Sequence, residues 1–366
     1  MVTKKYSPGL SPDSCIVVLI VFTLLVIAAC AGAGCVSHPS SAPVPAVTTP
    51  PAASPGPAPV PAAPATLQPA APLQRVIVTN ADAAELLLAI GAQDQVVGIS
   101  DTVKSHPVLG PRFFGVKSIG SWQTPDVETI LALHPDAVIS YSSYTPKNID
   151  KITSAGIPLL LIDCYKIDTL ASDTRKLGNL TGREKGAEVY IAFLEQNEAL
   201  VQSRIANLTS VETPRVYFES YSDYSALTAG SGGDLLITMA GGSNIAGMLP
   251  VSSPKVNAEW VYAENPEVIV KVAASGKNES ELRNIRDTIA GRTGIANTAA
   301  VRNGQVYVMS NSVTYGPRSA VGLVYIAKIL HPDEFEDIHP SVILDDYAGR
   351  FVQGANVTPV FSPPLK

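Results

Sequence analysis

From Leu73 onward, short apolar runs alternate with stretches whose apolar residues recur every three or four positions. Val76 to Val78, Val96 to Ile99, Ala137 to Ser140 and Leu159 to Ile162 are apolar runs of strand length. Between them, Asp82 to Ile90 (stopped by Gly91), Lys147 to Ser154 and Asp168 to Leu177 carry helical spacing. Strands without polar alternation are buried on both faces, so this pattern predicts a parallel sheet covered by helices. A second alternation starts at Arg215 to Phe218. It continues through a helix over Leu235 to Ala240, strands at Val268 to Val272 and Val306 to Met309, and helices over Ser319 to Leu330 and Pro340 to Phe351. Between the two lies a long amphipathic stretch, Arg183 to Leu208, with Tyr190, Leu194, Val201, Ile205 and Leu208 on one stripe. A helix of that length spans roughly 37 Å at 1.5 Å per residue, about the width of a small domain, and reads as a spine between two lobes.

One phrase occurs in both halves. Glu128-Thr-Ile-Leu-Ala-Leu-His-Pro135-Asp-Ala-Val-Ile and Glu259-Trp-Val-Tyr-Ala-Glu-Asn-Pro266-Glu-Val-Ile-Val each place a Glu seven residues before a Pro, then an acid, then an apolar run. Each reads as a short helix, a break at the Pro and a buried strand. In the first copy Thr124 is the expected helix cap, with Pro125 at the first helical position. A second echo, Glu85-Leu-Leu…Ile90-Gly91 against Asp234-Leu-Leu…Ala240-Gly241, supports two similar lobes, hence an α/β fold with a cleft between them.

The ends of the chain differ in character. Lys4 and Lys5 precede an apolar run from Ile16 to Ala29, which suits a signal peptide. Ile27-Ala28-Ala29-Cys30 resembles a lipobox with Cys30 as the lipidated residue, and Gly32-Ala33-Gly34-Cys35 is the alternative; a plain signal peptide or a retained anchor helix are the other readings. Residues 36 to 72 are dominated by Pro, Ala, Ser and Thr, a composition that extends as a tether rather than burying a core. The expected organisation is therefore 1–29 signal peptide, 30–72 tether, 73–182 N-terminal lobe, 183–208 connecting helix and 209–366 C-terminal lobe, with the head outside the cytoplasm and held at the membrane by a lipid.

A formal net charge of −6 without a basic stripe argues against nucleic-acid binding. The five histidines form no close pair at ligand spacing, so no bare-metal site is expected. Cys164 is the one cysteine in the folded part and reads as a small buried hydrophobe. No nucleophile elbow, P-loop or zinc-protease motif occurs, and the Gly230-Ser231-Gly232-Gly233 cluster alone is a weak anion cradle, so the chain is expected not to be an enzyme.

Gly120-Ser-Trp122-Gln-Thr-Pro-Asp-Val-Glu128…His134-Pro-Asp-Ala-Val-Ile139 resembles the signature of the periplasmic-binding-protein family for iron complexes and cobalamin, the substrate-binding lipoproteins of ABC importers. Gly316-Pro317-Arg318…Tyr325-Ile-Ala-Lys328…His331-Pro332 resembles the C-terminal part of its iron-complex members. The resemblance covers roughly Val76 to Phe351. It implies two Rossmann-like lobes with parallel sheets joined by one long α-helix. It implies a monomer that captures a metal complex (ferric siderophore, haem or corrinoid) and delivers it to a membrane permease and its ATPase subunits. It also implies that Glu128 and Glu259 dock on permease arginines, where charge pairs fix register more than affinity. Oxyanion binding on the same fold, and a surface sensor or enzyme built on the same head, are the alternatives.

Ligands of open parallel sheets bind beyond the carboxyl ends of the strands. Residues at those ends nominate Trp122, Tyr141, Tyr144 and Tyr165 in the first lobe and Tyr221, Tyr224, Tyr315 and Arg318 in the second. Tyrosine joins a flat apolar face to a hydroxyl tip, which suits a bulky, partly polar ligand. Arg318 is expected to meet an anionic group of that ligand. No cofactor beyond the ligand itself is expected.

Overall fold

The computed structural model describes residues 71–208 and 213–353. The expected signal segment and tether lie outside these residues apart from 71 and 72, and so do Cys30 and Cys35. Among the described residues, no helix is long and apolar enough to cross a membrane.

The first sheet is built from β1 (Val76–Val78), β2 (Val96–Ile99), β3 (Lys117–Ser118), β4 (Ala137–Ser140) and β5 (Leu159–Leu161), in the order β3-β2-β1-β4-β5 and parallel throughout. Its helices are α1 (Ala81–Ala89), α2 (Asp101–Ser105), α3 (Leu109–Arg112), α4 (Val127–Ala132), α5 (Ile149–Ser154) and α6 (Ile167–Thr181). The spine α7 (Glu184–Ile205) follows. The second sheet contains β6 (Arg215–Glu219), β7 (Ser243–Asn244), β8 (Val268–Ala273) and β9 (Val306–Ser310), ordered β7-β6-β8-β9 and again parallel. Around it lie α8 (Gly232–Met239), α9 (Ala258–Glu264), α10 (Glu279–Ala290), α11 (Ala299–Arg302) and α12 (Asn311–Thr314); α13 (Ser319–Leu330) and α14 (Pro340–Phe351) close the chain.

The repeated phrase occupies the same place in both sheets. The Glu128 copy supplies α4 and β4, and β4 pairs with β1. The Glu259 copy supplies α9 and β8, and β8 pairs with β6. In each, the residue before the Pro turns left-handed: His134 at φ 45° and Asn265 at φ 44°. The acid after the Pro clamps the start of the neighbouring strand. Asp136 accepts the N–H groups of Gln74 and Arg75 at 2.7 and 2.8 Å, and Glu267 accepts that of Arg215 at 2.8 Å. The arginine at each strand start reaches back to the end of the helix: Arg75 donates to the Leu133 carbonyl at 2.7 Å, and Arg215 to that of Glu264 at 2.8 Å. The cap of α4 is Asp126, whose carboxylate accepts from Thr129 N–H at 3.1 Å; Thr124 and Pro125 precede the helix. Asn257 caps α9 in the same way, through Trp260 N–H at 2.8 Å.

Alternation along the strands divides the core into three. Val76, Val78, Ile139, Val216, Phe218, Val270 and Met309 join one inner cluster with Tyr190 and Leu194 of α7 and much of α13. Ile77 and Val138 turn the other way, into an outer cluster of the first lobe with Ile119, Ile130 and Ile152. Tyr217, Ile269 and Val308 do the same in the second lobe. The inner faces of both sheets thus share a single core around α7 and α13. The final helix does not stay with the second lobe. Its Tyr347 and Phe351 pack at an angle against Phe193 of α7, and the Tyr347 hydroxyl donates to Glu85 of α1 at 2.6 Å.

Candidate ligand-binding cleft

A cavity of about 940 Å³ lies beyond the carboxyl ends of both sets of strands. The first lobe contributes an unbroken run of edge-on aromatic contacts: Tyr144 to Trp122 (5.0 Å between ring centres), Trp122 to Tyr141 (5.6 Å) and Tyr141 to Tyr165 (6.1 Å). The second lobe contributes Tyr221 and Tyr315, with ring centres 6.5 Å apart. Tyr144 and Tyr221 are the most exposed of these, at 43% and 50%.

Local networks hold these rings. Asp163 accepts the Ser142 hydroxyl and the N–H groups of Ser142 and Ser143, at 2.8 and 3.1 Å for the amides, and so fixes the Tyr141–Tyr144 loop. Burial works against its ionised form, but the Ser142 hydroxyl and these amides hold its carboxyl below the ordinary range. Tyr315 packs closely on the first turn of α8, where a Cβ at Gly232 would come within 2.8 Å of the ring. Beneath the Tyr221 loop sits a buried charge cluster. Lys271 donates to Glu219 at 2.7 Å and to the Ser220 carbonyl at 3.0 Å, and Arg292 bridges Glu219 and Asp223 at 2.8 and 2.6 Å.

Six of the eight nominated ligand residues converge on the cleft as ring walls: Trp122, Tyr141, Tyr144, Tyr165, Tyr221 and Tyr315. Tyr224 does not. It stands at φ 61° beside the charge cluster, its ring under the Arg292 guanidinium at 4.8 Å and packed on the outer core of the second lobe. Arg318 reaches the cleft floor but is already occupied. Its Nε and Nη2 donate to the two oxygens of Glu85 at 2.7 and 2.9 Å, both residues being buried. The expectation that Arg318 offers a free fork to ligand is therefore corrected. Cys164 is buried, and burial pushes its thiol well above the ordinary range, as an inert core residue requires.

Sequence reasoning passed over Asp82. It lines the cleft from the first turn of α1, half-buried, and its Oδ2 accepts the Tyr141 hydroxyl at 2.9 Å. Loss of hydration pushes its carboxyl up to about 7, against the opposing pull of the Tyr141 hydroxyl. Its position in the first turn of α1, two residues after the N-cap Asn80, reads in sequence as ordinary helix-start chemistry, so no local signal marked it.

Glu128 and Glu259 are exposed, each one residue inside the start of its helix. Because α4 and α9 each lead back into a parallel strand, their starts lie at the sheet edges where the strands end, which is also the cleft side. Neither carboxylate has an ion pair or hydrogen bond among the described residues.

Residues 76–313 match the model of the periplasmic binding protein family. A protein of Yersinia pestis (strain Pestoides F) named vitamin B12-binding protein is 29% identical over 206 residues, covering 55% of this chain and 70% of its own length. Among solved structures, a TroA-like periplasmic binding protein, FepB, from Veillonella parvula superposes with a TM-score of 0.67 at 20% identity, covering 80% of this chain and 95% of that one. MolA of Haemophilus influenzae, a molybdate periplasmic binding protein, gives 0.66 at 20% identity, with coverage of 80% and 95%. The two solved structures share the fold, and the match over 76–313 carries the assignment: the chain belongs to the periplasmic binding protein family, whose members are extracytoplasmic binding proteins.

Proposed function

We propose that this protein is the solute-binding component of an ABC importer, that its cargo is a bulky metal complex of the siderophore, haem or corrinoid kind, and that it performs no chemistry on it. The observation that carries this reading is the cleft itself: about 940 Å³ of space walled by six aromatic rings drawn from both lobes. Flat, amphipathic rings contribute contact area at low entropic cost and suit a macrocycle or a chelate with a large apolar surface. The vitamin B12-binding relative from Yersinia pestis is in keeping with that class.

The balance of charge narrows it. Glu85 and Arg318 cancel one another on the floor, which leaves Asp82, Lys166 and His106 as the acidic and basic lining groups without an ion pair among the described residues. A cleft of this kind does not favour a multiply charged anion. The oxyanion reading, prompted by the molybdate-binding neighbour, meets a further obstacle. At the α8 start the Gly230 and Asp234 N–H groups are taken, by Asp234 Oδ2 at 2.9 Å and by Ser231 Oγ at 3.3 Å.

Delivery is assigned to Glu128 and Glu259, two exposed carboxylates on the cleft side, one per lobe, meeting cationic groups of the permease. Lipidation at Cys30, with Cys35 as the alternative, would keep the head near that partner. The test is equilibrium titration of the purified protein with cyanocobalamin, haemin, a ferric siderophore and molybdate, followed by the fluorescence of Trp122 and by mass measurement. Saturable binding of a metal complex, recovered unchanged, is expected. Binding of molybdate alone, or conversion of the added compound, would overturn the reading.

A further inference from the structure

We propose that Asp82 is the polar recognition point of the cleft, taking a hydrogen bond from a nitrogen donor of the cargo, an amide or an ammonium, and that cargo carrying only carboxylates at that edge is rejected. This rests on the reading of the cleft as the cargo site.

The geometry is that of a carboxyl group without a cation. One turn along α1, Glu85 has Arg318 and Tyr347 to itself at 2.6 to 2.9 Å. Asp82 has the Tyr141 hydroxyl, on Oδ2, and its own backbone N–H, and among the described residues no ion pair reaches it. Its other oxygen faces Gly316, at φ 72°, so closely that a Cβ there would stand 2.3 Å away. That glycine turn is tied across the cleft by its N–H to the Tyr165 carbonyl at 3.0 Å, so the floor around Asp82 is fixed. The groups facing this carboxyl from the surrounding elements are Tyr141 at the end of β4, Cys164 after β5, Glu85 on α1, Arg318 before α13, Tyr190 on α7 and Tyr221 after β6, with His106 after α2 and Tyr347 on α14 beyond Glu85. The single cation among them is bound to Glu85. A half-desolvated carboxylate lacking a counter-charge is costly, and a donor from the ligand removes that cost, whereas a ligand carboxylate adds to it.

The proton follows. In the free protein this carboxyl titrates at about 7. A bound N–H donor favours the ionised form, so binding releases a proton below that pH and affinity rises with pH until the carboxyl is ionised. The experiment measures affinity for three probes on the full chain and on Asp82→Asn: cyanocobalamin, which carries peripheral amides; ferrioxamine B, which carries an ammonium; and haemin, which carries carboxylates.

For an amide or ammonium probe, wild-type affinity is expected to rise about tenfold between about pH 5.5 and 7.5, one pKa unit being a factor of ten, and then level off. Asp82→Asn is expected to bind more weakly with a flat profile, while haemin gains in the variant. Tyr141→Phe removes the hydroxyl that favours ionisation, so it moves the wild-type profile to higher pH and provides a second test if Asp82→Asn is poorly folded. Undiminished affinity in Asp82→Asn, or persistence of the pH profile there, would overturn the inference and leave the cargo reading intact. Binding of haemin alone would do the same. Failure of every probe to bind would overturn the cargo reading and this inference with it.

Discussion

Glu85 and Arg318, 233 residues apart in sequence, meet in a two-pronged buried ion pair that joins the first helix of one lobe to the turn leaving the other. Removing one partner of such a pair strands a buried charge and typically costs about 3–5 kcal/mol, whereas replacing the whole group by apolar residues is often close to neutral. Arg318→Leu should therefore lower the midpoint of urea unfolding sharply. The triple change Glu85→Leu, Arg318→Leu, Tyr347→Phe should recover most of it, since Tyr347 also donates to Glu85. A triple variant as unstable as the single one would show that the pair is more than a self-contained electrostatic unit.

Asp82 should leave a mark on the stability curve. Its folded-state carboxyl is raised from 3.8 to about 7, so the folded protein prefers it protonated. Its contribution is fully present below the ordinary carboxylate range and is lost as pH rises through about 7. Asp82→Asn is thus expected to unfold at a higher temperature than wild type at pH 8, with the gap closing toward pH 4. Parallel melting curves at both pH values would contradict this.

Charge reversal at both Glu128 and Glu259 should abolish uptake by cells expressing the cognate permease while leaving cargo affinity unchanged, with single reversals intermediate. Helix-start placement gives each carboxylate a modest structural contribution of about 0.3–1 kcal/mol, so melting temperature should move little. Unimpaired transport by the double variant is the result that removes these residues from the docking role.

Trp122 should report occupancy. It is one of two tryptophans, and the other, Trp260, packs against Tyr217 in the outer core of the second lobe. Trp122→Phe should abolish ligand-induced change in tryptophan emission and weaken binding by a factor of a few, as expected from about 0.5–1.5 kcal/mol for an aromatic contact. A full-size signal in that variant would place the cargo elsewhere.

Much of the frame was legible in the sequence, for identifiable reasons. Strands β1, β2, β4, β6, β8 and β9 are mostly apolar, and the recurring Glu…Pro phrase marked the same helix–strand unit in each half. What escaped was short, polar or non-local. β3 and β7 have two residues each, too few for a pattern. Helix α10 is largely charged on its outer face and was passed over, although Asn278 and Glu281 form a reciprocal capping box at its start. The cleft aromatics could be nominated because strand ends in parallel sheets face ligand. The fate of Arg318 could not be nominated, since its partner lies on a helix at the far end of the chain. Tyr224 looked like its neighbour Tyr221, and only the burial of Glu219 beneath the loop separates them: the Tyr224 N–H donates to that carboxylate at 2.9 Å, turning its ring away from the cleft.

The return of the last helix across the spine makes the two extremities of the folded head interdependent. Residues near 350 brace the helix that opens the head near 80, so a stop codon or a fused tag placed just upstream of Pro340 would be felt first in the opposite half. Tyr190, Phe193 and Glu85 would then be uncovered together, and the floor of the cleft would loosen although every wall-forming ring remained in the chain.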